Sequence, residues 1–265
     1  MKLLNAALIA ILAASVISGP VLAQDDAGSG PVDKSDKSGT NPINFTNDIR
    51  AYYEYQDLEN GTGHVGTLEA RTPVYDNKVQ IRMRVPFKGI DISQGGFNLS
   101  ESGLGDINAR LLTVPYLDLK SGTAIAVGLE FFFPTATDDA LGDGKFSLGP
   151  QIFGVKFNPF GIKGSLVAPA VQQVVSIVGD DDRRDVNRTQ LDLFILKQSD
   201  DKKSYVLLDP QYVIDWDNQT EFGLVEAEAG YVLDSGVSFY GRPGVGFGGD
   251  SAIDFNLEFG VKYVF

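Results

Sequence analysis

Ala252-Ile-Asp-Phe-Asn-Leu-Glu-Phe-Gly-Val-Lys-Tyr-Val-Phe265 closes the chain and decides how the rest of it is read. From Ile253 every second residue is apolar: Ile253, Phe255, Leu257, Phe259, Val261, Tyr263 and Phe265. The residues between them, Asp254, Asn256, Glu258, Gly260 and Lys262, are polar or tiny, and only Val264 breaks the alternation. Period two over this length predicts one strand with an apolar face and a wet face. Strands of soluble domains average ~5–6 residues, whereas a strand tilted across a bilayer needs ~9–11. The segment fits the second case.

The same rhythm recurs upstream. Val79, Ile81, Met83, Val85 and Phe87 alternate with Gln80, Arg82 and Arg84; Ile107, Ala109 and Leu111 alternate with Asp106, Asn108 and Arg110; Ile125, Val127, Leu129 and Phe131 share a face opposite Glu130. An earlier strand is expected over Ile43 to Gln56, with Ile43, Phe45, Ile49, Ala51, Tyr53 and Tyr55 on one face. Residues 163–178 are apolar on both faces and carry Pro169, so their register is open. In total the pattern predicts about twelve strands: an all-β, transmembrane, antiparallel up-and-down β-barrel over residues 43–265. An even count with short turns on one side and long loops on the other is the expected asymmetry. The long set is 88–103, 134–144 and 179–186.

Residues 1–23 read as a secretory signal: Lys2, an apolar run from Leu3 to Ile17, and Val21-Leu22-Ala23 as a small-residue cleavage site. Its apolar core is shorter than a spanning helix. Gln24 to Pro42 holds almost nothing apolar and is expected as a polar flexible linker, with a lumen plug as the alternative. Removing the signal takes away Lys2 and no acid, so the formal charge of −13 becomes −14. That acidity argues against nucleic acid as a partner. With no cysteine there is no disulfide framework, thiolate metal site or cysteine nucleophile.

The wet faces carry charge of both signs. Arg50, Lys78, Arg82, Arg84 and Arg110 come from the early strands; Glu130 follows, and Glu226, Glu228, Asp254 and Glu258 come from the late ones. As lumen-lining residues they either hold separate walls and set up a transverse field, or meet and form a salt-bridged plug. The lone histidine, His64, raises an outer-membrane acyl hydrolase as an alternative, but no serine lies near it in sequence, and no catalytic residue is assigned. Acidic runs at Asp138, Asp139 and Asp143 and at Asp180, Asp181, Asp182 and Asp185 match no calcium-loop spacing, and no metal or cofactor is expected. Tyr263 and the terminal Phe265 resemble the C-terminal signature through which the barrel assembly machinery recognises outer-membrane proteins.

Four short motifs carry a wider resemblance: Gly103-Leu-Gly-Asp106, Phe133-Pro134-Thr135, Leu141-Gly-Asp-Gly144 and Leu148-Gly149-Pro150. Together they are similar to the outer-membrane transporters grouped under the MetA pathway of phenol degradation. In outline these resemble the fatty-acid and aromatic-hydrocarbon channels of Gram-negative bacteria. The resemblance implies passive passage of small molecules, aromatic or hydrophobic ones among them, through a barrel in the Gram-negative outer membrane, with lipid and lipopolysaccharide around it. A closed structural barrel remains a third alternative.

Overall fold

The computed structural model describes residues 35–265; the expected signal segment and the first part of the expected linker lie outside the described residues. Thirteen strands follow one another: β1 (Asp48–Leu58), β2 (Gly61–Val74), β3 (Val79–Gln94), β4 (Phe97–Leu104), β5 (Asn108–Asp118), β6 (Thr123–Phe132), β7 (Lys145–Phe157), β8 (Ser165–Gly179), β9 (Asn187–Gln198), β10 (Ser204–Asp215), β11 (Thr220–Val232), β12 (Val237–Phe247) and β13 (Ile253–Val264). Each pairs antiparallel with its neighbours, and β1 pairs along its length with β13, so the sheet closes on itself. The β4 and β5 segments both pair with β3, β5 along Val79–Arg84 and β4 along Phe87–Gln94. They are one barrel strand broken at Gly105-Asp106-Ile107, and the architecture is a closed twelve-strand barrel. Closure leaves no unpaired edge in the barrel wall, whereas β4, beyond the rim, pairs on one side with β3 alone.

The faces divide as the alternation requires. Ile49, Tyr53, Met83, Phe87, Phe239, Phe259 and Tyr263 are exposed on the outside, whereas Gln80, Arg82, Glu130, Glu226, Asn256 and Lys262 are buried inside. Both termini leave from one end of the barrel: Asp48 pairs with Val264, and the N–H of Phe265 donates to the carbonyl of Asn47. The connections at that end are short: 75–78, 119–122, 158–164, 199–203 and 233–236. The longest connection, 133–144, lies at the other end.

Two expectations are corrected. Residues 88–103 are not a loop: β3 and β4 continue the ladder beyond the rim and turn at Gly95-Gly96, both at positive φ. Two glycines at positive φ form the two-residue hairpin turn that matches strand twist. The second correction concerns Ile43 and Phe45, expected on the outer face of the first strand. That strand starts at Asp48, and both side chains point into the barrel, 0% and 2% exposed. They pack with Leu112, Ala124, Ala126, Val155, Leu166, Ala168, Leu196 and Leu207, the inward residues of β5 to β10 near the end that carries the termini. This inner apolar layer is why residues 163–178 read as apolar on both faces: Leu166 and Ala168 face Ile43 and Phe45, while Val171, Ile177 and Val178 face outward.

Candidate functional site

Register aligns the inward residues into rows around the lumen. Asp48, Arg71, Arg82, Arg110 and Glu130 are successive partners across β1, β2, β3, β5 and β6. The next row is Arg50, Glu69, Arg84, Asn108 and Phe132. Ion pairs knit the two rows together: Arg71 to Asp48 at 2.9 Å, Arg50 to Asp48 at 2.9 Å and to Glu69 at 3.3 Å, Arg84 to Glu69 at 2.5 Å, and Arg82 to Glu130. Buried charges such as Asp48, Glu69 and Arg82 persist because they are paired and hydrogen-bonded.

The wall built by β10 to β13 is organised around acids. Arg242 reaches Asp209 and, at 3.0 Å, Glu226. The ammonium of Lys262 donates to Glu228 at 2.8 Å and lies 4.2 Å from the centroid of the Tyr240 ring, a cation–π contact. Tyr205 donates its hydroxyl to Glu228, and Tyr240 donates its own to Glu258, each at 2.6 Å. Both rings lie flat against glycine. A Cβ on Gly230 would stand 2.3 Å from the Tyr205 ring, and one on Gly260 would stand 2.2 Å from that of Tyr240. The two tyrosines therefore need glycine on the neighbouring strand. The Asn256 amide donates to Glu54 of β1 at 2.9 Å and to Glu226 at 2.7 Å, tying the acids together.

The end that carries the termini is filled by the chain's own N-terminal segment. Asp36, Ser38, Thr40, Ile43, Asn44, Phe45 and Thr46 are all buried. Arg71 donates to the carbonyl of Gly39 at 2.7 Å, and Arg50 donates to the same oxygen. From the opposite side the Gln198 amide donates to Asp36 at 2.9 Å and to Ser38 at 3.0 Å. The described part of the stretch expected as a flexible linker is thus packed inside the barrel, with the apolar pair Ile43 and Phe45 beneath it.

At the other end, residues 133–144 fold over the lumen, held where β4 and β5 part. Released from the ladder there, the Asp106 carboxylate accepts the N–H groups of Thr135 and Ala136, each at 3.0 Å, and of Asp143 at 2.7 Å. Thr137 exchanges two further bonds with the backbone of Leu104. Leu141, in a short 3-10 turn at Asp139–Leu141, is buried under the loop. From 180–186, Arg183 pairs with Asp139 at 2.8 Å and donates to the carbonyls of Asp139 and Gly142. Of the acids in the two acidic runs, Asp138, Asp139 and Asp180 serve as loop ties, accepting from Ala140, Arg183 and Asp182.

Between the inner segment and the outer loop lies a cavity of about 440 Å³. Arg50, Glu69, Arg84 and Asn108 line it on one side, Glu228, Glu258, Arg242 and Lys262 on the other, with Tyr52 and Phe132 as its aromatic surfaces. Asp143 and Arg188 lie at the outer end.

Of the residues expected to line the lumen, Arg50, Arg82, Arg84, Arg110, Glu130, Glu226, Glu228 and Glu258 face inward. Lys78 does not: it is exposed in the turn after β2, because β3 begins one residue later. Asp254 is exposed at the second position of β13, at the outer rim. Each expected wall also holds residues of the other sign that sequence reasoning passed over: Asp48 and Glu69 among the arginines, Arg242 and Lys262 among the glutamates. Their alternating positions were readable, whereas their partners follow only from register.

His64 lies on the outward face of β2, near the start of the strand. Its Nδ1 is 2.7 Å from the Tyr53 hydroxyl, and its ring packs against Tyr53 and Tyr55. Tyr263 and Phe265 are exposed on the outer wall near the end that carries the termini, their rings 5.7 Å apart.

The chain has the architecture of an outer-membrane β-barrel. No protein-family model matches it, and no curated protein matches it in sequence. Among solved structures it is similar to an outer membrane channel from Pseudomonas putida F1, with TM-score 0.71 and 13% identity over 86% of this chain and 98% of that one. It is also similar to the KdgM porin, with TM-score 0.53 and 12% identity over 82% and 99% of the two chains. A third likeness is to the β domain of the Bordetella autotransporter Brka, with TM-score 0.52 and 12% identity over 83% and 99%. At these identities the likenesses establish the shared fold.

Proposed function

We propose that this protein is an outer-membrane channel for the passive movement of small molecules. One observation carries the reading: a polar cavity lined by charges of both signs, inside a closed barrel whose outer face is apolar. A structural barrel has no need of such an interior, since an apolar core of the same volume is at least as stable as buried ion pairs. Two of the structural neighbours are described as a channel and a porin, which supports the same role. In this reading the end with the termini faces the periplasm, residues 36–46 close the lumen there, and residues 133–144 narrow it outside. Residues 1–23 serve as the secretion signal, and Tyr263 and Phe265 present the chain to the barrel assembly machinery. Lipid and lipopolysaccharide contact the outer face. The resemblance to the MetA-pathway transporters favours small aromatic molecules as solutes. The hydrogen-bond partner of His64 is Tyr53 and not a serine, which gives the hydrolase alternative no support.

Liposome swelling tests the proposal. Folded protein is reconstituted and challenged with sugars, amino acids and phenols of increasing size. Uptake with a sharp size limit is expected once the inner segment is released. Impermeable vesicles, with wild-type protein and with a variant lacking residues 24–46, would overturn the channel reading.

A further inference from the structure

The two rows across β1 to β6 carry more positive charge than they neutralise. Arg50, Arg71, Arg82, Arg84 and Arg110 share three acids: Asp48, Glu69 and Glu130. Arg82 and Arg110 stand directly opposite each other on paired strands, a placement of like charges that is destabilising. Arg82 has Glu130, whose second oxygen is occupied by the Gln172 amide at 3.0 Å. Among the described residues the Arg110 side chain has neither an ion pair nor a hydrogen bond, although its strand pairs with β3 and β6. Its Nε is buried without a partner, as are the Nε of Arg82 and the amide oxygen of Asn108, two residues before Arg110 on the same strand. Leaving such polar groups unmet is costly.

We infer that Arg110, with Arg82 and Arg84, forms a binding station for a small carboxylate-bearing solute. A guanidinium meets a carboxylate through two parallel N–H bonds, and Arg110 holds that geometry free. Turning the Asn108 amide over presents its NH2 to the same carboxylate; which way an amide points is set by its partner. Arg84 and Asn108 connect the station to the cavity, where Phe132 and Tyr52 offer flat apolar surfaces for the organic part. A volume of about 440 Å³ suits a small organic acid. The facing acids, Glu226, Glu228 and Glu258, orient the solute with its carboxylate toward the arginines. The inference names the solute class for the channel proposed above and rests on that reading only for the route by which the solute arrives.

Isothermal titration with detergent-folded protein tests the station without requiring conduction. Sodium benzoate is compared with neutral benzamide and with inorganic phosphate, at low and high salt. Benzoate is expected to bind saturably with one site and weaken with salt; benzamide is expected not to bind. Arg110→Gln should weaken benzoate by about tenfold or more, the scale of one charge-assisted hydrogen bond, and Arg110→Lys should retain part of the affinity. Should Arg110→Gln fail the heat-modifiability test of folding, Arg84→Gln and the benzoate–benzamide contrast in wild type decide. Absent benzoate binding, equal binding of benzamide, equal binding of phosphate, or full affinity in folded Arg110→Gln would each overturn the carboxylate station. A barrel that binds benzoate yet passes no solute refutes the channel and keeps the station; one that passes neutral solutes but binds no benzoate does the reverse.

Discussion

Replacing Ile43 and Phe45 together by alanine should release the inner segment and open the barrel. Both side chains are buried in the inner apolar layer, and neither belongs to the barrel wall. Truncating a buried isoleucine costs about 2–5 kcal/mol and a buried phenylalanine about 3–5. Together they remove at least about 5 kcal/mol from docking, and since each 1.4 kcal/mol is tenfold, the docked-to-released ratio falls by about three decades or more. The polar grips of Arg50 and Arg71 on Gly39 and of Gln198 on Asp36 and Ser38 remain, but they hold a strap with nothing beneath it. Two assays are read side by side. Single-channel recording in planar bilayers should show larger, longer-lived currents in the double variant than in wild type. Trypsin should cut at Lys37, half-buried in the intact barrel, faster in the variant. Faster cleavage with unchanged current would refute the reasoning, because the segment would then be free and still not be the barrier. Unchanged cleavage and unchanged current would show that the apolar pair is not what holds it.

Further outcomes follow from single contacts. Asp106→Ala removes the acceptor for three loop N–H groups, at about 1 kcal/mol or more each; residues 133–144 should become a protease site while the barrel stays heat-modifiable, and a protected loop would mean that Thr137 and Leu141 suffice. Gly260→Ala sets a Cβ against the Tyr240 ring, which Glu258 keeps from backing away; overpacking of this kind costs about 1–3 kcal/mol, to be read as a lower urea midpoint, and an unchanged midpoint would show that the ring moves freely. Lys262→Met leaves Glu228 buried with one partner fewer and should cost about 3–5 kcal/mol; adding Glu228→Gln should recover much of the loss, and additivity of the two would argue against the pair.

The wall of the barrel was legible in the sequence because alternation is local. A strand such as 79–87 states which residues face out without reference to any neighbour, and Met83, Phe87, Arg82 and Gln80 all lie as the pattern requires. Elements defined by a partner were not legible. Ile43 and Phe45 continue the alternation into Ile49 and Ala51, so one strand through all of them was the simplest reading. What separates them is an inner apolar layer assembled from β5 to β10, which no local window contains. The two-faced apolar run at 163–178 was its visible trace. The hairpin at 94–97 is a different case: Gly95-Gly96 between alternating residues is a two-residue turn signal, and weighing it would have turned the expected loop into paired strand. At the site, the inward charges were found but not their matching. Glu69 serves Arg50 and Arg84 because β2 lies between β1 and β3, a consequence of register rather than of spacing along the chain.

The glycine-rich motifs show what such signals mean mechanically. Read one at a time, Gly103-Leu-Gly-Asp106 and Leu141-Gly-Asp-Gly144 look like bend chemistry, yet they meet in space although more than thirty residues of chain separate them. A Cβ on Gly103 would stand 2.1 Å from the Thr137 hydroxyl, and one on Gly142 2.4 Å from the Ala136 methyl and 2.6 Å from the Asp106 carboxylate. These glycines are small because a loop lies against the wall at backbone distance, and the strand breaks at Gly105 so that Asp106 can turn to hold it. A barrel of this size without the loop would leave the upper lumen open to every small solute. With it, a solute of the proposed channel would pass Asp143 and Arg188 before reaching the arginine row. In that channel, selectivity would depend on the contact between strand break and loop, where Asp106 holds the loop above the charge pattern.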